Sequence, residues 1–483
     1  MADQNLKPFF DKVDDLAQSF IDDRLTPAVK IPSVSSAPKP EDRQKVFDMT
    51  DFLQRQLEGL GAAVTTHDLG DQPKTNESDP TLHLPDVITA QYPKNRDPNK
   101  KAILIYGHYD VQPGGDGWTH EPFDVKEENG KLYGRGTTDD KGPVLAWLNA
   151  LQAHKEADVD VPVNILFCLE GMEESGSIGF SDFVSKNKDL FANVDAACIS
   201  DNYWLTTRKP CLTYGLRGIN YFTMTITNNG PALHSGMFGG VVHEPLTDLS
   251  ILLSKLVDSK GKVLIRDIDA NVAPLTDQEE ADLKGIDFTM DDFKKSIKCD
   301  AAIYNDKVDT LKHRWRFPSL SIHGIIGGDS TPNQTTSIAP TVSAKFSIRT
   351  VPNMTGDEVN SKVTLYLQQE FAKLKSRNNL SIQAMDEPPA FWLAKPDDAN
   401  FTAARKATEK VYNKTPDNTR EGGSIGVTLD FQQVLGEKSL MLLPVGTSDD
   451  GAHGPDENIP RENYINGTKL LGTYWHYIAE SSF

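Results

Sequence analysis

The chain has 483 residues, 38% hydrophobic and 25% charged, with a formal net charge of −19. That length exceeds one ordinary domain and predicts two. The acidic balance argues against nucleic acid or an anionic membrane as the main partner, because both select basic patches, and no apolar run approaches the roughly 20 residues that span a bilayer.

The opening segment MADQNLKPFFDKVDDLAQSF is polar and amphipathic and lacks the apolar stretch of a signal peptide. Cys168, Cys198, Cys211 and Cys299 stand far apart with no C-x-x-C spacing. Together these features predict a reduced, cytoplasmic protein with buried thiols. Strand and helix alternate from about residue 100 to 212. The apolar run in ILIYGHYDVQP (103–113) reads as a buried strand that delivers His108 and Asp110 to its C-terminal edge. Residues two apart on a strand share a face. GPVLAWLNALQAH has helical spacing, with Val144, Leu145, Leu148 and Leu151 on one face. VPVNILFCLEG follows as a strand, SIGFSDFVSKN as a helix and VDAACISD as another strand. The rhythm predicts an α/β domain with a mainly parallel sheet, covered by helices on both faces.

The pattern changes after Tyr214. NYFTMTITN alternates as a half-exposed strand, and LTDLSILLSKLVDS is an amphipathic helix. The charged stretch 267–316 reads as loops, and its acidic part as a solvated face. SLSIHGI and VSAKFSIRTVP are alternating strands, and EVNSKVTLYLQQEFAKL is a helix. These elements predict an inserted α+β domain. The βα rhythm returns with NFTAARKATEKVY and SLMLLPVG, so the expected organisation is 1–213, 214–388 and 389–483, the outer segments forming one discontinuous domain.

Chemistry-bearing residues gather where strands end. GRGTTDDKG places Asp139 and Asp140 before a helix, and LEGMEESGS places Glu173 and Glu174 after a strand. ISDN places Asp201, and DDGAHGPDE places His453 in a Gly-flanked loop. Carboxylates held together repel unless a cation lies between them. Two imidazoles with several carboxylates suit Zn²⁺ or Mn²⁺. Two ions bridged by one carboxylate and a water would use this many ligands, with one further carboxylate left as general base and acid.

These residues resemble the M20 metallopeptidases, within them the carnosinase-like cytosolic dipeptidases and the fungal Cys-Gly dipeptidases of glutathione breakdown. The likeness runs over nearly the whole length and is carried by YGHYDVQP, DGWTHEPF, LYGRGTTDDKGP, EGMEESGS, CISDNYW, LTYGLRG, LHSGMFGG, HRWRFPSLSIHG, KFSIRTVP, TREGGSI and DDGAH. The resemblance implies two divalent metal ions per subunit: His108 and Asp201 on one, Glu174 and His453 on the other, Asp139 bridging. It implies Glu173 as general base and acid, with Asp110 orienting His108. It implies that His234, in the inserted domain, serves the partner subunit's site in a homodimer built through that domain. Arg349 and Ser424 are implied to hold the substrate's terminal carboxylate.

The chain also departs from that family. GGDSTPNQTTSIAP (327–340) replaces a small-residue loop ending in Lys-Thr-Val-Ile-Pro, leaving Thr336 and Ser337 near the expected threonine. Gly426 and Asp430 stand where relatives favour Pro and Thr, and Pro455 is added. The expected activity is hydrolysis of Cys-Gly-like dipeptides. The alternative is an amidohydrolase or amide-forming enzyme on an N-acyl or specialised substrate, with the same fold and metals. Trp315 reads as a packing residue, His243 and His323 as ordinary polar or strand residues. Arg217 and Gly218 read as a hinge or a structural salt bridge.

Overall fold

The computed structural model describes residues 6–74, 76–332 and 334–482. The first five residues of the amphipathic opening segment, and Asn333 in the unusual loop, lie outside them. The described residues form two compact units. One holds the chain up to Tyr214, Ala394–Thr419 and the chain from Gly426 onward; the other holds Gly215–Leu393 with Arg420–Ile425.

A mixed sheet forms the spine of the first unit. Its strands run in the order Ala63–His67, Val87–Tyr92, Asn164–Glu170, Ala102–His108, Ala196–Ile199, Ser439–Leu442, Cys211–Leu216. The four from Asn164–Glu170 to Ser439–Leu442 are mutually parallel, and antiparallel strands flank them. The parallel strands are buried on both faces, which is why they read as continuous apolar runs. Being parallel, they end at one edge. Each is followed in sequence by a candidate ligand: Glu174, His108 as the last strand residue, Asp201 and His453.

The helix Lys141–Glu156 is buried nearly all round, not along one stripe as its spacing suggests. Its Trp147 stacks on Trp475, with ring centroids 5.7 Å apart, and meets Tyr474 edge-on. Both partners belong to the C-terminal helix Arg461–Glu480, which covers the outer face. One glycine lets helix Lys141–Glu156 approach the sheet and another lets it close on the turn that precedes it. A Cβ on Gly107 would sit 2.4 Å from Val144 Cγ2, and one on Gly142 would sit 1.9 Å from the Thr137 carbonyl oxygen.

The second unit carries a four-stranded antiparallel sheet in the order Ser319–Ile326, Thr341–Thr350, Gly218–Thr227, Asn379–Ala384. Its buried face packs Phe222, Met224, Phe346 and Ile348 against Leu249 and Leu252 of helix Pro245–Leu253 and Val359 and Val363 of helix Gly356–Leu374. The stretch 267–316 is not the loop-rich face that its charge suggests. It holds three helices, Asp277–Gly285, Met290–Ile297 and Lys307–Trp315. Thr276 with Glu279, and Thr289 with Asp292, form capping boxes, and Asp306 caps the third helix. Ile286, Phe288, Leu311 and Trp315 are buried. Met290, Phe293 and Ile297, and Val308, Leu311 and Trp315, recur at helical spacing, and the caps are visible in sequence too; the density of charge between them draws the reading toward loops. Among the described residues, no helix is long and apolar enough to cross a membrane. Cys168, Cys198 and Cys211 are buried and Cys299 exposed, all as free thiols.

Candidate metal centre

Ligand positioning begins with Asp110, which is fully buried just beyond the strand Ala102–His108. His108 Nδ1 hydrogen-bonds the Asp110 carbonyl oxygen at 3.1 Å and lies 3.3 Å from its carboxylate Oδ1. The backbone N–H groups of Glu173 and Glu174 donate to the two carboxylate oxygens of Asp110 at 3.2 and 3.1 Å. Asp110 therefore aims the His108 ring so that Nε2 faces Asp139, and its carboxylate holds the turn that carries the glutamate pair.

Asp139 sits between two imidazoles. His108 Nε2 is 3.2 Å from its Oδ1, and His453 Nε2 is 3.0 Å from its Oδ2. Asp201 Oδ2 lies 3.9 Å from His108 Nε2, and Glu174 Oε2 lies 3.1 Å from His453 Nε2. Gln112 Nε2 donates to the same Glu174 oxygen at 2.8 Å. His453 adopts a left-handed backbone with φ of 61° beside Gly451, which turns its ring back toward Glu174 and Asp139. The Asp139–Asp140 peptide is cis. Asp140 faces elsewhere, its Oδ2 accepting from the His108 N–H at 3.3 Å.

Charge tests whether these groups fit a metal pair. Two sets of potential ligand atoms, from His108, Asp139 and Asp201 and from Asp139, Glu174 and His453, each lie within 4.8 Å of one another and share Asp139. Burial pushes the Asp201 carboxyl up to about 7 and Glu173 well above the usual carboxylate range. Burial also pushes Asp139 up, but hydrogen bonds from His108 and His453 outweigh it and hold that carboxyl far below its ordinary value. Hydrogen bonds to Asp139 and Glu174 raise His453 to about 10. The imidazoles thus act as cations among the acids, and a divalent cation held by the same oxygens would reverse the push on Asp201. Two imidazoles and three carboxylates are donors for Zn²⁺ or Mn²⁺, not for a thiolate-seeking metal. Glu173 is in neither set, and its carboxylate makes no hydrogen bond among the described residues.

The model of peptidase family M20/M25/M40 matches residues 104–476, a span that contains every residue of this centre. The chain belongs to that family. It is 46% identical over 482 residues to the Cys-Gly metallodipeptidase DUG1 of Candida albicans, covering 99% of this chain and 98% of that protein. It is 42% identical over 469 residues to the human Beta-Ala-His dipeptidase, covering 96% and 91%. The solved structure of the di-peptidase Dug1p from Saccharomyces cerevisiae superposes with a TM-score of 0.89 at 45% identity, over 100% of both chains.

The remaining candidates lie in the second unit and form two groups. His234 is exposed and pairs with Ser337 across a two-residue bridge, and the Ser235 N–H donates to the Thr336 carbonyl at 2.7 Å. His234 Nδ1 accepts from the Gly236 N–H at 3.0 Å, leaving Nε2 for another partner. Arg349 Nη1 donates to Ser424 Oγ at 2.9 Å, and the Ser424 hydroxyl donates to the Arg217 carbonyl. Arg217 binds neutral oxygens, the Gly422 carbonyl at 3.0 Å and Ser319 Oγ at 2.9 Å. Burial, then the neighbouring Arg349, lowers its guanidinium to about 10. His323 is a strand residue bonded to Ser347 Oγ at 2.7 Å, His243 is exposed, and Trp315 is packed.

Sequence reasoning passes over two residues beside Asp139. Glu457 is fully buried; its Oε1 accepts from the N–H groups of Gly136, Thr138 and Asp139 at 2.9, 3.2 and 3.2 Å, and Arg135 donates to its Oε2 at 2.6 Å. Tyr203, in CISDNYW, is a neighbour of Asp139 and Asp201; burial, and then their charges, raise its phenol well above its ordinary value. Glu457 lies in a run of acids beyond His453, where nothing local separates a buried brace from a solvated charge.

Proposed function

We propose that the chain hydrolyses short peptides, dipeptides of the Cys-Gly kind first, at a site holding two divalent ions, Zn²⁺ or Mn²⁺. His108 and Asp201 would hold one ion, Glu174 and His453 the other, and Asp139 both. The observation that carries this reading is the shared Asp139, with one imidazole on each oxygen. Bound there, such a pair supplies Lewis acidity for the scissile carbonyl and lowers the pKa of water.

The chain's own groups account for the rest. Glu173 takes the proton of the attacking water and returns it to the leaving amine; supporting this is a carboxyl free of side-chain partners that burial has made more basic. Asp110 keeps that turn and the His108 tautomer in place. Arg349 and Ser424 bind the substrate's free carboxylate, with Thr336 and Ser337 bordering the same substrate. Supporting the carboxylate site, Arg217, Arg314 and Arg349 interact electrostatically, with Glu421 the one carboxylate in the group. His234, with its free Nε2, stabilises the developing oxyanion of the partner subunit's site.

A homodimer through the second unit has its own support. The edge strand Ser319–Ile326 exposes Ile322, Ile325 and Ile326 at 42, 51 and 52%, an unprotected apolar edge that a second copy could cover. Free buried thiols support a reducing, cytoplasmic setting. The deciding experiment is a panel of dipeptides and N-acyl amino acids assayed with protein loaded with Zn²⁺ or Mn²⁺. Cys-Gly should be cleaved and lose turnover on chelation. Cleavage of N-acyl amino acids alone would replace the peptide reading with an amidohydrolase.

A further inference from the structure

A cavity of about 430 Å³ opens beside the first turn of helix Pro40–Leu60, with Ser35, Ser36, Arg43, Gln72, Lys74 and Ser175 in its wall. Its size is that of a small-molecule site. Arg43 is only 3% exposed. A buried guanidinium ordinarily has a carboxylate partner, yet the hydrogen bonds of Arg43 run to neutral groups. Nη2 donates to Gln72 Oε1 at 3.0 Å and Nη1 reaches Met172 Sδ at 3.5 Å. Its Nε has no partner. The acid that acts on it electrostatically is Asp110, whose two oxygens already accept from Glu173 and Glu174. Lys74 adds a second cation, and Ser35 and Ser36 add hydroxyls. Asp79 also borders the cavity, but its Oδ2 accepts from the Asn76 N–H at 2.7 Å. The first turn of the helix carries the exposed Glu41 and Asp42, which already complement its N-terminal end, so side chains and not the helix end are what would hold an anion here.

We propose that this cavity binds a small oxyanion, a carboxylate or a tetrahedral phosphate-like group, between Arg43, Lys74 and the Ser35 and Ser36 hydroxyls. The site is separate from the metal centre but shares a wall with it. Ser35 Oγ lies 2.8 Å from Ser175 Oγ, and Arg43 touches Met172. Those two contacts bracket the turn that carries Glu173 and Glu174. The inference does not depend on which peptide is cleaved.

The test uses the full, metal-loaded protein. Thermal unfolding is followed while sodium sulfate or sodium acetate is titrated in, against sodium chloride at equal ionic strength. At least one oxyanion should stabilise saturably beyond chloride. Arg43→Met should raise its half-saturating concentration about tenfold or more, the scale of truncating one partner of a buried charge pair. Lys74→Ala should raise it several-fold, and Arg43→Lys should recover part of the loss. A response to acetate alone assigns a carboxylate ligand, and one to sulfate alone a phosphate-like ligand. A saturable response unchanged in Arg43→Met and Lys74→Ala would place binding elsewhere and overturn the assignment, as would equal effects of all three salts. Should Arg43→Met fail to fold, the exposed positions Ser36→Ala and Lys74→Ala decide: no change in either rejects the site.

Discussion

Glu173 and Glu174 are adjacent in sequence and differ in environment. Glu174 reaches His453 and Gln112, whereas Glu173 keeps its carboxylate free. Glu173→Gln should therefore leave metal content near wild type while lowering turnover roughly 10²–10⁴-fold, the scale of general acid–base catalysis. Glu174→Gln should instead lower metal retention, measured by elemental analysis after dialysis. Equal behaviour of the two variants would reject this division of labour. The motifs made these residues legible because an H-x-D at a strand end, and acids at neighbouring strand ends, obey simple rules of alternation and parallel topology. Glu457 and Tyr203 escaped the same rules: their roles arise from neighbours more than sixty residues away in the chain, among Gly136, Thr138 and Asp139.

At the level of elements, the loop from Glu170 to Ser177 is braced from behind. Glu170 ends its strand in register with His108 and accepts hydrogen bonds from the Tyr106 hydroxyl at 2.7 Å and Ser177 Oγ at 3.0 Å. Burial pushes its carboxyl up to about 8, from an ordinary value of 4.5. A carboxyl raised in the folded state contributes stability that is fully present below its unfolded value and is lost as pH rises through the folded one. The affected window runs from about 4.5 to about 8. Glu170→Gln, a neutral mimic able to accept both hydrogen bonds, should gain stability relative to wild type as pH rises from 5 to 8 in urea titrations. A constant difference across that window would mean that Glu170 is ionised throughout. The Asp139 turn has a comparable brace in Glu457. Glu457→Ala would leave Arg135 buried without its partner and three N–H groups unanswered, and should cost about 3–5 kcal/mol of unfolding free energy. Helix reading failed between 267 and 316 for a reason of the same scale: those helices are held by caps and a few buried side chains, so charge density hides them.

At the scale of the whole molecule, the alternation of strand and helix up to residue 212 and the α+β texture after Tyr214 made the two architectures legible. What the pattern could not supply is whether a site draws on two copies of the chain. The arrangement proposed for His234 permits a test by complementation. His234→Ala and Glu173→Gln homodimers should each be nearly inactive, since every site lacks one group. In a mixed dimer, one site lacks both groups and the other lacks neither, because a two-fold interface exchanges equivalent residues. Subunit exchange between the two inactive variants should restore up to about half the activity of a wild-type dimer per heterodimer, at one intact site of two. Native mass spectrometry on tagged variants measures how many heterodimers form. Heterodimers present without recovered turnover would show that His234 serves its own chain's site or none, and a monomer at assay concentration would remove the shared-site model altogether.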